Sequence, residues 1–230
     1  MPTSNPPELL QWLGRLPPGN QSFWVPGEVW LQSWTGNNFT SYLYFDLLLF
    51  LALLKDNSRC GIFKSKCRTR KEYRDMTFSS SAQRIRDSRN AGGNSMRSEV
   101  LSCEFLSQFD QFQLSKTERE AEYFPYGGSI TDYVCTIAKQ KVGVSVTRAM
   151  TYKGQFTRKD ACRLLIKKLK GVKESNRNSL ENWNKQILHI WTPNMHTADI
   201  IVEVYNQLSE EMRSNTVVIV TTAKLPCIYQ

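Results

Sequence analysis

The sequence lacks the residue spacings that mark most zinc, nucleotide and acyl-transfer sites. It contains two His and six Cys, but no Cys-X-X-Cys pair occurs and neither His lies near a Cys, so zinc-ligand spacing is absent. The double glycines Gly92-Gly93 and Gly127-Gly128 lack both the spacing and the Lys of a phosphate-binding loop. No Ser or Cys motif accompanies His189 or His196, so we expect both to be structural and nucleophilic hydrolysis to be absent.

Long apolar runs are also missing. The most apolar stretch, residues 42–54, contains Asp46 and is shorter than the roughly 20 residues that a membrane helix needs. We therefore expect a buried or interfacial helix there and no transmembrane span. The first residues are polar and Pro-rich, without a basic-then-apolar pattern, so we expect no signal peptide.

The cysteines indicate the compartment. Four of the six lie inside apolar periodic segments, where a free buried thiol is the ordinary state. Free thiols indicate a reducing environment. We therefore expect an intracellular protein of the nucleus or the cytoplasm.

Positive charge is abundant and unevenly placed. The formal net charge is +9. Residues 55–97 contain twelve Lys or Arg against four Asp or Glu, and residues 153–185 contain ten against three. A basic balance favours polyanionic partners or anionic lipid and does not indicate a particular fold. We expect DNA or RNA as the partner.

Composition divides the chain into three parts. Residues 1–54 form a Pro- and Trp-rich N-terminal segment that ends in the apolar helix, and its aromatic residues predict docking on the main domain or on a protein partner. Residues 55–94 are basic, Ser-rich and Gly-punctuated, which predicts a flexible linker that binds nucleic acid, serves as a nuclear address or stays solvated. Residues 95–230 show regular periodicity and predict an α/β domain.

The order of elements in the third part predicts its architecture. An amphipathic helix over about 97–112 is followed by a short strand at 122–126 and a hairpin at 129–150. A helix begins at Thr157, which has capping-box spacing with Asp160, and Gly171 is placed to end it. A strand, a helix and a continuous apolar strand follow. This order predicts a mixed central sheet with helices on both faces, on the border of α/β and α+β.

One acid stands out in the hairpin. Asp132 lies in an apolar, β-branched strand, where a carboxylate costs free energy unless something pairs with it. Two interpretations stay open: a strand-end Asp that faces water, or a metal or phosphate site built on the hairpin.

The order helix, three antiparallel strands, helix, strand resembles the core of the restriction-endonuclease-like, or PD-(D/E)xK, superfamily over residues 95–222. In that superfamily an acid on the second strand, a D/E-x-K triplet on the third and often a Glu on the first helix form the site. Asp132 matches the strand acid, Glu99 or Glu104 the helix acid, and Ser145, Val146 and Thr147 the triplet. The resemblance implies a catalytic set of Asp132, Glu99, Glu104, Ser145 and Thr147, with Mg²⁺ held by Asp132 and Glu99.

The triplet departs from the family pattern. Ser145 is a poor Mg²⁺ ligand, Thr147 cannot replace a cation, and Arg148 lies on the opposite face of an ideal strand. A Lys from the following helix, such as Lys159 or Lys167, is a substitute that the pattern leaves open. The basic side chains that we expect to bind nucleic acid are Arg148, Lys159, Arg163, Lys167 and Lys170.

Three functional hypotheses follow. The altered triplet favours a nucleic-acid-binding protein of nuclease-like fold with degenerate or absent phosphodiesterase activity. The first alternative is an active Mg²⁺-dependent DNA or RNA nuclease. The second is a protein-interaction module without a nucleic-acid role, which uses residues 1–54.

Overall fold

The computed structural model describes residues 32–88, 95–109, 111–151, 154–183 and 185–229. Their centre is one eight-stranded mixed sheet in the order β1-β2-β3-β8-β7-β6-β5-β4. The strands are β1 Gln32–Thr35, β2 Phe39–Leu43, β3 Gly61–Thr69, β4 Gln113–Thr117, β5 Tyr133–Ile137, β6 Gln140–Arg148, β7 Lys185–Thr192 and β8 Thr216–Ala223.

The four central strands β3, β8, β7 and β6 run parallel to one another. The outer pairs are antiparallel, with β1 and β2 beyond β3, and β5 and β4 beyond β6. The carboxyl ends of the four parallel strands therefore meet at one edge of the sheet, which we call the carboxyl edge. Open α/β sheets bind ligands outside this edge.

Helices cover both faces of the sheet. Every residue of β7 and β8 is buried, so each strand needs apolar partners on both sides. The helices are α1 Leu47–Lys55, α2 Ser80–Asp87, α3 Met96–Leu106, α4 Arg158–Asn178, α5 Met195–Gln207, α6 Glu210–Arg213 and α7 Pro226–Tyr229. One core lies between the sheet and the helices α1 and α3, and the other between the sheet and α4 and α5. The predicted mixed sheet with helices on both faces is confirmed.

The helix α4 begins where its capping box predicts. The Thr157 hydroxyl accepts a hydrogen bond from the backbone N–H of Asp160, and the Asp160 carboxylate accepts one from the backbone N–H of Thr157. The predicted end at Gly171 is wrong, because the helix continues to Asn178. Its last turns remain buried through Val172 and Ser175, so packing outweighs the stop signal of the glycine.

The apolar run of residues 42–54 contains the buried helix α1. The Asp46 carboxylate accepts hydrogen bonds from the backbone N–H groups of Leu48 and Leu49, which caps the helix. Phe50 and Leu53 are fully buried in the first core. No helix in the described ranges is both long and apolar enough to cross a membrane.

The expectation of a flexible linker over residues 55–94 is wrong for the part that the structure describes. The strand β3 lies between β2 and β8 in the interior of the sheet, so the described residues on either side of residue 94 share one sheet. Its Lys66 and Arg68 are exposed on one face, while Phe63 and Cys67 are buried on the other. Because side chains alternate between the two faces of a strand, a segment rich in Lys and Arg can still form an interior strand of the sheet.

Two other details differ from expectation. The first strand of the meander is β4, Gln113–Thr117, because α3 ends at Leu106 and leaves room for it. At the predicted strand 122–126, Tyr123 forms an isolated bridge with Ser179.

Among the N-terminal tryptophans, Trp12, Trp24 and Trp30 lie outside the described residues. Trp34 packs edge-on against Phe109 at 4.9 Å between ring centroids, so it docks on the main domain.

Candidate active site at the carboxyl edge

The third meander strand continues beyond its neighbour. Pairing between β5 and β6 begins at Tyr133 opposite Val144, whereas β6 continues to Arg148. The backbone N–H and C=O of Val146 point to the side that β5 leaves open, because strand residues two apart point the same way. Unpaired backbone groups of this kind need other partners.

Asp132 supplies one of these partners. Its backbone N–H donates to the Val144 carbonyl at 2.9 Å, and its carboxylate Oδ2 accepts from the Val146 N–H at 2.5 Å. The half-buried carboxylate is thus turned back onto β6. This geometry disfavours the interpretation of Asp132 as a strand-end acid that simply faces water.

Lys168 approaches the other backbone group of Val146. Its Nζ lies 3.5 Å from the Val146 carbonyl oxygen. Lys168 points to the sheet because it follows Leu165 by three residues and Ala161 by seven, and both are fully buried on the inner side of α4. The same register, read in the sequence, would have identified it in place of Lys159 or Lys167.

Glu99 brings a second carboxylate from the first turn of α3 and is 3 % exposed. Burial raises its pKa, a hydrogen bond from Ser95 lowers it, Glu118 raises it, and Lys168 and Arg148 lower it. Burial is also the main cause that raises the pKa of Asp132, to about 7, followed by the charge of Glu99; Lys168 opposes the rise. Both acids therefore respond to the same lysine, and Asp132 also responds to the charge of Glu99.

Glu118 was not identified from the sequence. It follows the last residue of β4, is half-buried, and raises the pKa of both Glu99 and Asp132. No local pattern marks it, because it comes near the other acids only through the pairing of β4 with β5.

The triplet residues contribute backbone and small side chains. Val144 and Val146 are buried in the core beside α1 and α3, so Ser145 and Thr147 face the α4 side of the sheet. Ser145 is buried and Thr147 half-buried, and neither supplies a carboxylate or a cation. The charged groups of the site come from Asp132, Glu99 and Lys168 instead.

Glu104 is not brought to this site. Its carboxylate accepts hydrogen bonds from the Asn38 side-chain amide at 3.0 Å and from the Ser79 backbone N–H at 2.9 Å. These contacts tie α3 to the start of α2 and to the turn before β2. Of the two candidate helix acids, Glu99 is therefore the one beside Asp132, and the geometry of Glu104 is that of a structural acid.

The predicted nucleic-acid contacts divide into two groups. Arg148 donates to the Ile228 carbonyl at 2.9 Å and, with the exposed Arg163 and Lys167, lines a cleft of about 330 Å³ beside β6. Lys159 and Lys170 are exposed on α4 and do not line this cleft.

The predicted Mg²⁺ ligands can be tested against these residues. Within the described ranges, no group of three or more His, Cys, Asp or Glu is arranged to hold a metal ion. Mg²⁺ needs less than such a cage, because it is usually bound by one or two carboxylates and keeps several waters. Asp132 and Glu99 offer two hard oxygen ligands, and burial, the main cause, raises the pKa of both carboxyl groups. The residues therefore fit a two-carboxylate Mg²⁺ site.

The buried histidine of β7 is structural, as expected. His189 bonds the Ser102 hydroxyl at 2.8 Å and the Thr221 hydroxyl at 2.7 Å, and burial lowers its pKa to about 3. A neutral imidazole with both nitrogens engaged joins α3, β7 and β8.

The fold and site thus define a mixed α/β protein with a coupled acid pair and a lysine at the carboxyl edge of its sheet. No family model and no solved structure match the chain. One relative is the AAC-rich mRNA clone AAC4 protein of Dictyostelium discoideum, 46 % identical over 157 residues, which are 65 % of this chain and 23 % of the relative. The matched region is therefore about a quarter of that protein, and the name of the relative states no activity.

Proposed function

We propose that this chain is a divalent-metal-dependent phosphodiesterase that acts on nucleic acid. The observation that carries the proposal is the meeting of Asp132 and Lys168 on the backbone of Val146, with Glu99 close enough for its charge to raise the pKa of Asp132. Two coupled carboxylates and a cation, set at the edge where open sheets bind ligands, match the chemistry of phosphodiester hydrolysis.

The arrangement of elements supports this proposal. The helix α3, the antiparallel strands β4, β5 and β6, the helix α4 and the parallel strand β7 follow in the order of the restriction-endonuclease-like core. Asp132 immediately precedes the second of these strands, and Glu99 lies in the first helix; the resemblance implies an acid near each of these places.

Lys168 supplies the cation that the altered triplet lacks. The triplet on β6 has no Lys, yet α4 supplies an ammonium group 3.5 Å from the carbonyl of the triplet's middle residue. Lys168 stabilises the ionised forms of Glu99 and Asp132 and holds positive charge where a phosphate would lie. Bound Mg²⁺ would add Lewis acidity toward a phosphate oxygen. The Val146 N–H keeps the Asp132 carboxylate oriented.

A second function has one specific observation in its favour. Ser145 and Thr147 occupy the positions of the family's acid and lysine, which favours a nucleic-acid-binding protein that has lost the chemistry. Both proposals use the basic cleft of Arg148, Arg163 and Lys167, so binding alone does not separate them.

The experiment is a cutting assay on labelled DNA and RNA, single-stranded and double-stranded, with Mg²⁺ or Mn²⁺. Wild type should cut at least one of these, and Asp132→Asn should reduce cutting to background, because the amide keeps the acceptor for Val146 but loses the charge. Asp87→Asn, an exposed acid on α2, is the matched control and should cut like wild type. Binding without cutting under all conditions favours the second function.

A further inference from the structure

A second cleft lies at the same edge of the sheet, beyond the carboxyl ends of β3 and β8. It measures about 610 Å³. Its floor includes the buried Leu225 and the half-buried Tyr73. Five cationic side chains line it: Arg70, Lys71, Arg74, Arg97 and Lys224.

The charge of this cleft is almost entirely of one sign. Glu72 is the single acid in its lining and pairs with Arg74 at 3.1 Å between Oε2 and a guanidinium nitrogen. None of the described acids forms an ion pair with the four remaining cations, all of which are exposed. An unneutralised cluster over a partly apolar floor suits a polyanion that also presents flat apolar groups.

The second cleft and the acid site are neighbours. The helix α7 lies between them, since its Cys227 lines the cleft and its Ile228 carbonyl accepts the hydrogen bond from Arg148. On α3, Arg97 lines the cleft two residues before Glu99. One ligand lying along the carboxyl edge would contact both places.

The sheet sets the distance between them. The strand β3 stands three places from β6, which at about 4.8 Å per strand is about 14 Å. Phosphates along one strand of a B-form duplex rise about 3.4 Å each, so this distance spans about four nucleotides.

We propose that the cleft binds backbone phosphates of a polynucleotide about four nucleotides from the phosphodiester at the acid site. The placement of the bound phosphodiester rests on the proposed function. Cations that contact phosphates fix the register of a nucleic acid without reading its sequence, so this cleft contributes affinity and position but no base preference.

The test is a salt titration of fluorescence anisotropy with a labelled 12-nucleotide strand in the absence of divalent ions. Lys71→Gln/Lys224→Gln should make the slope of log affinity against log salt shallower by about 1.4, since each lost phosphate contact on a single strand removes about 0.7. The control Lys55→Gln/Lys139→Gln removes two exposed lysines that precede β3 and β6, at the opposite edge of the sheet, and should leave the slope unchanged.

Two results would overturn the proposal. One is an equal change of slope in both double variants, which would reflect net charge alone. The other concerns a mononucleotide used as a competitor. If Lys71→Gln/Lys224→Gln weakens its binding as much as it weakens binding of the 12-nucleotide strand, the cleft is a pocket for a single nucleotide. Because the titration needs no cutting, a changed slope in an inactive protein refutes the nuclease proposal alone, and cutting with an unchanged slope refutes the cleft alone.

Discussion

Asp132 and Lys168 meet on the backbone of one residue, Val146. The Asp132 carboxylate accepts a hydrogen bond from the Val146 N–H, and the Lys168 ammonium group approaches the Val146 carbonyl. A carboxyl group and an ammonium group therefore contact the backbone groups that a neighbouring strand would otherwise pair with. Glu99 completes the group from α3. Burial raises the pKa of both acids, the charge of Glu118 adds to the rise in both, and the charge of Glu99 adds to the rise in Asp132.

The first prediction concerns Lys168. Changing Lys168 to Met removes the charge that lowers the pKa of Glu99 and Asp132, so both acids should bind protons more tightly. Asp132 must lose its proton to bind the divalent ion, so at an ion concentration well below saturation wild-type cutting should rise with pH through about 7. The midpoint of the variant should lie higher. Its plateau should fall by about 10²–10³-fold, the usual effect of losing a preorganised charge.

The neighbouring Lys167→Met is the matched control for this experiment. Lys167 is exposed and lines the cleft beside β6, so its loss should weaken substrate binding and leave the midpoint of the pH–rate profile in place. A shared shift in both variants would refute the role of Lys168 as the partner of the acids.

The second prediction concerns stability against pH. Because folding raises the pKa of Asp132 from 3.8 to about 7, the folded state retains a proton that the unfolded state loses. The stabilisation is fully present below about pH 4 and is lost as the pH rises to about 7. At pH 8, Asp132→Asn should therefore unfold at a higher urea concentration than wild type. Its free energy of unfolding should be higher by about 2–3 kcal/mol, after allowance for the partial exposure of Asp132.

The measurement is the difference in free energy of unfolding between wild type and Asp132→Asn across the pH range. Asp160 and Glu174 have pKa values lowered by hydrogen bonds from Thr157 and Ser129, and their contributions to stability are lost as the pH falls. These effects cancel between wild type and Asp132→Asn. A stability difference that stays flat from pH 4 to 8 would contradict the shifted pKa.

Local patterns predict the framework of this site but not all of its charges. The alternation of valines predicts β6, and the capping box predicts the start of α4, because both depend on neighbours in sequence. The position of Lys168 is also local, since the apolar stripe of α4 already assigns it to the sheet side. Glu118 joins the acids through strand pairing, which no local pattern contains.

The strand β3 shows why composition alone does not predict a strand in the basic segment. Lys64, Lys66 and Arg68 alternate with buried residues, and composition averaged over the segment conceals that period. Lys64 is itself buried and pairs with Asp199 of α5, a residue 135 positions away. Such a partner cannot be inferred before the order of strands is known.

The third prediction separates a structural acid from a site acid. Glu104→Ala leaves the Ser79 N–H and the Asn38 amide without their acceptor, which should cost about 1–3 kcal/mol of stability. At a temperature where the variant is fully folded, its cutting should match wild type. Glu99→Gln should do the reverse, with cutting lost and stability kept or raised at pH 8; loss of cutting in folded Glu104→Ala would return Glu104 to the site.

The fourth prediction concerns the metal directly and uses no substrate. Two acids with raised pKa values should bind a divalent cation in place of a proton, so Mg²⁺ or Ca²⁺ should raise the thermal midpoint at pH 8. At a concentration ten times the dissociation constant, linkage gives about 1.4 kcal/mol, or roughly 3–6 °C for a chain of this size. Asp132→Asn and Glu99→Gln should lose this rise, whereas Asp87→Asn should keep it. An equal rise in all four proteins would mean that the ion binds elsewhere, and the two-carboxylate site would be refuted whatever the cutting assay shows.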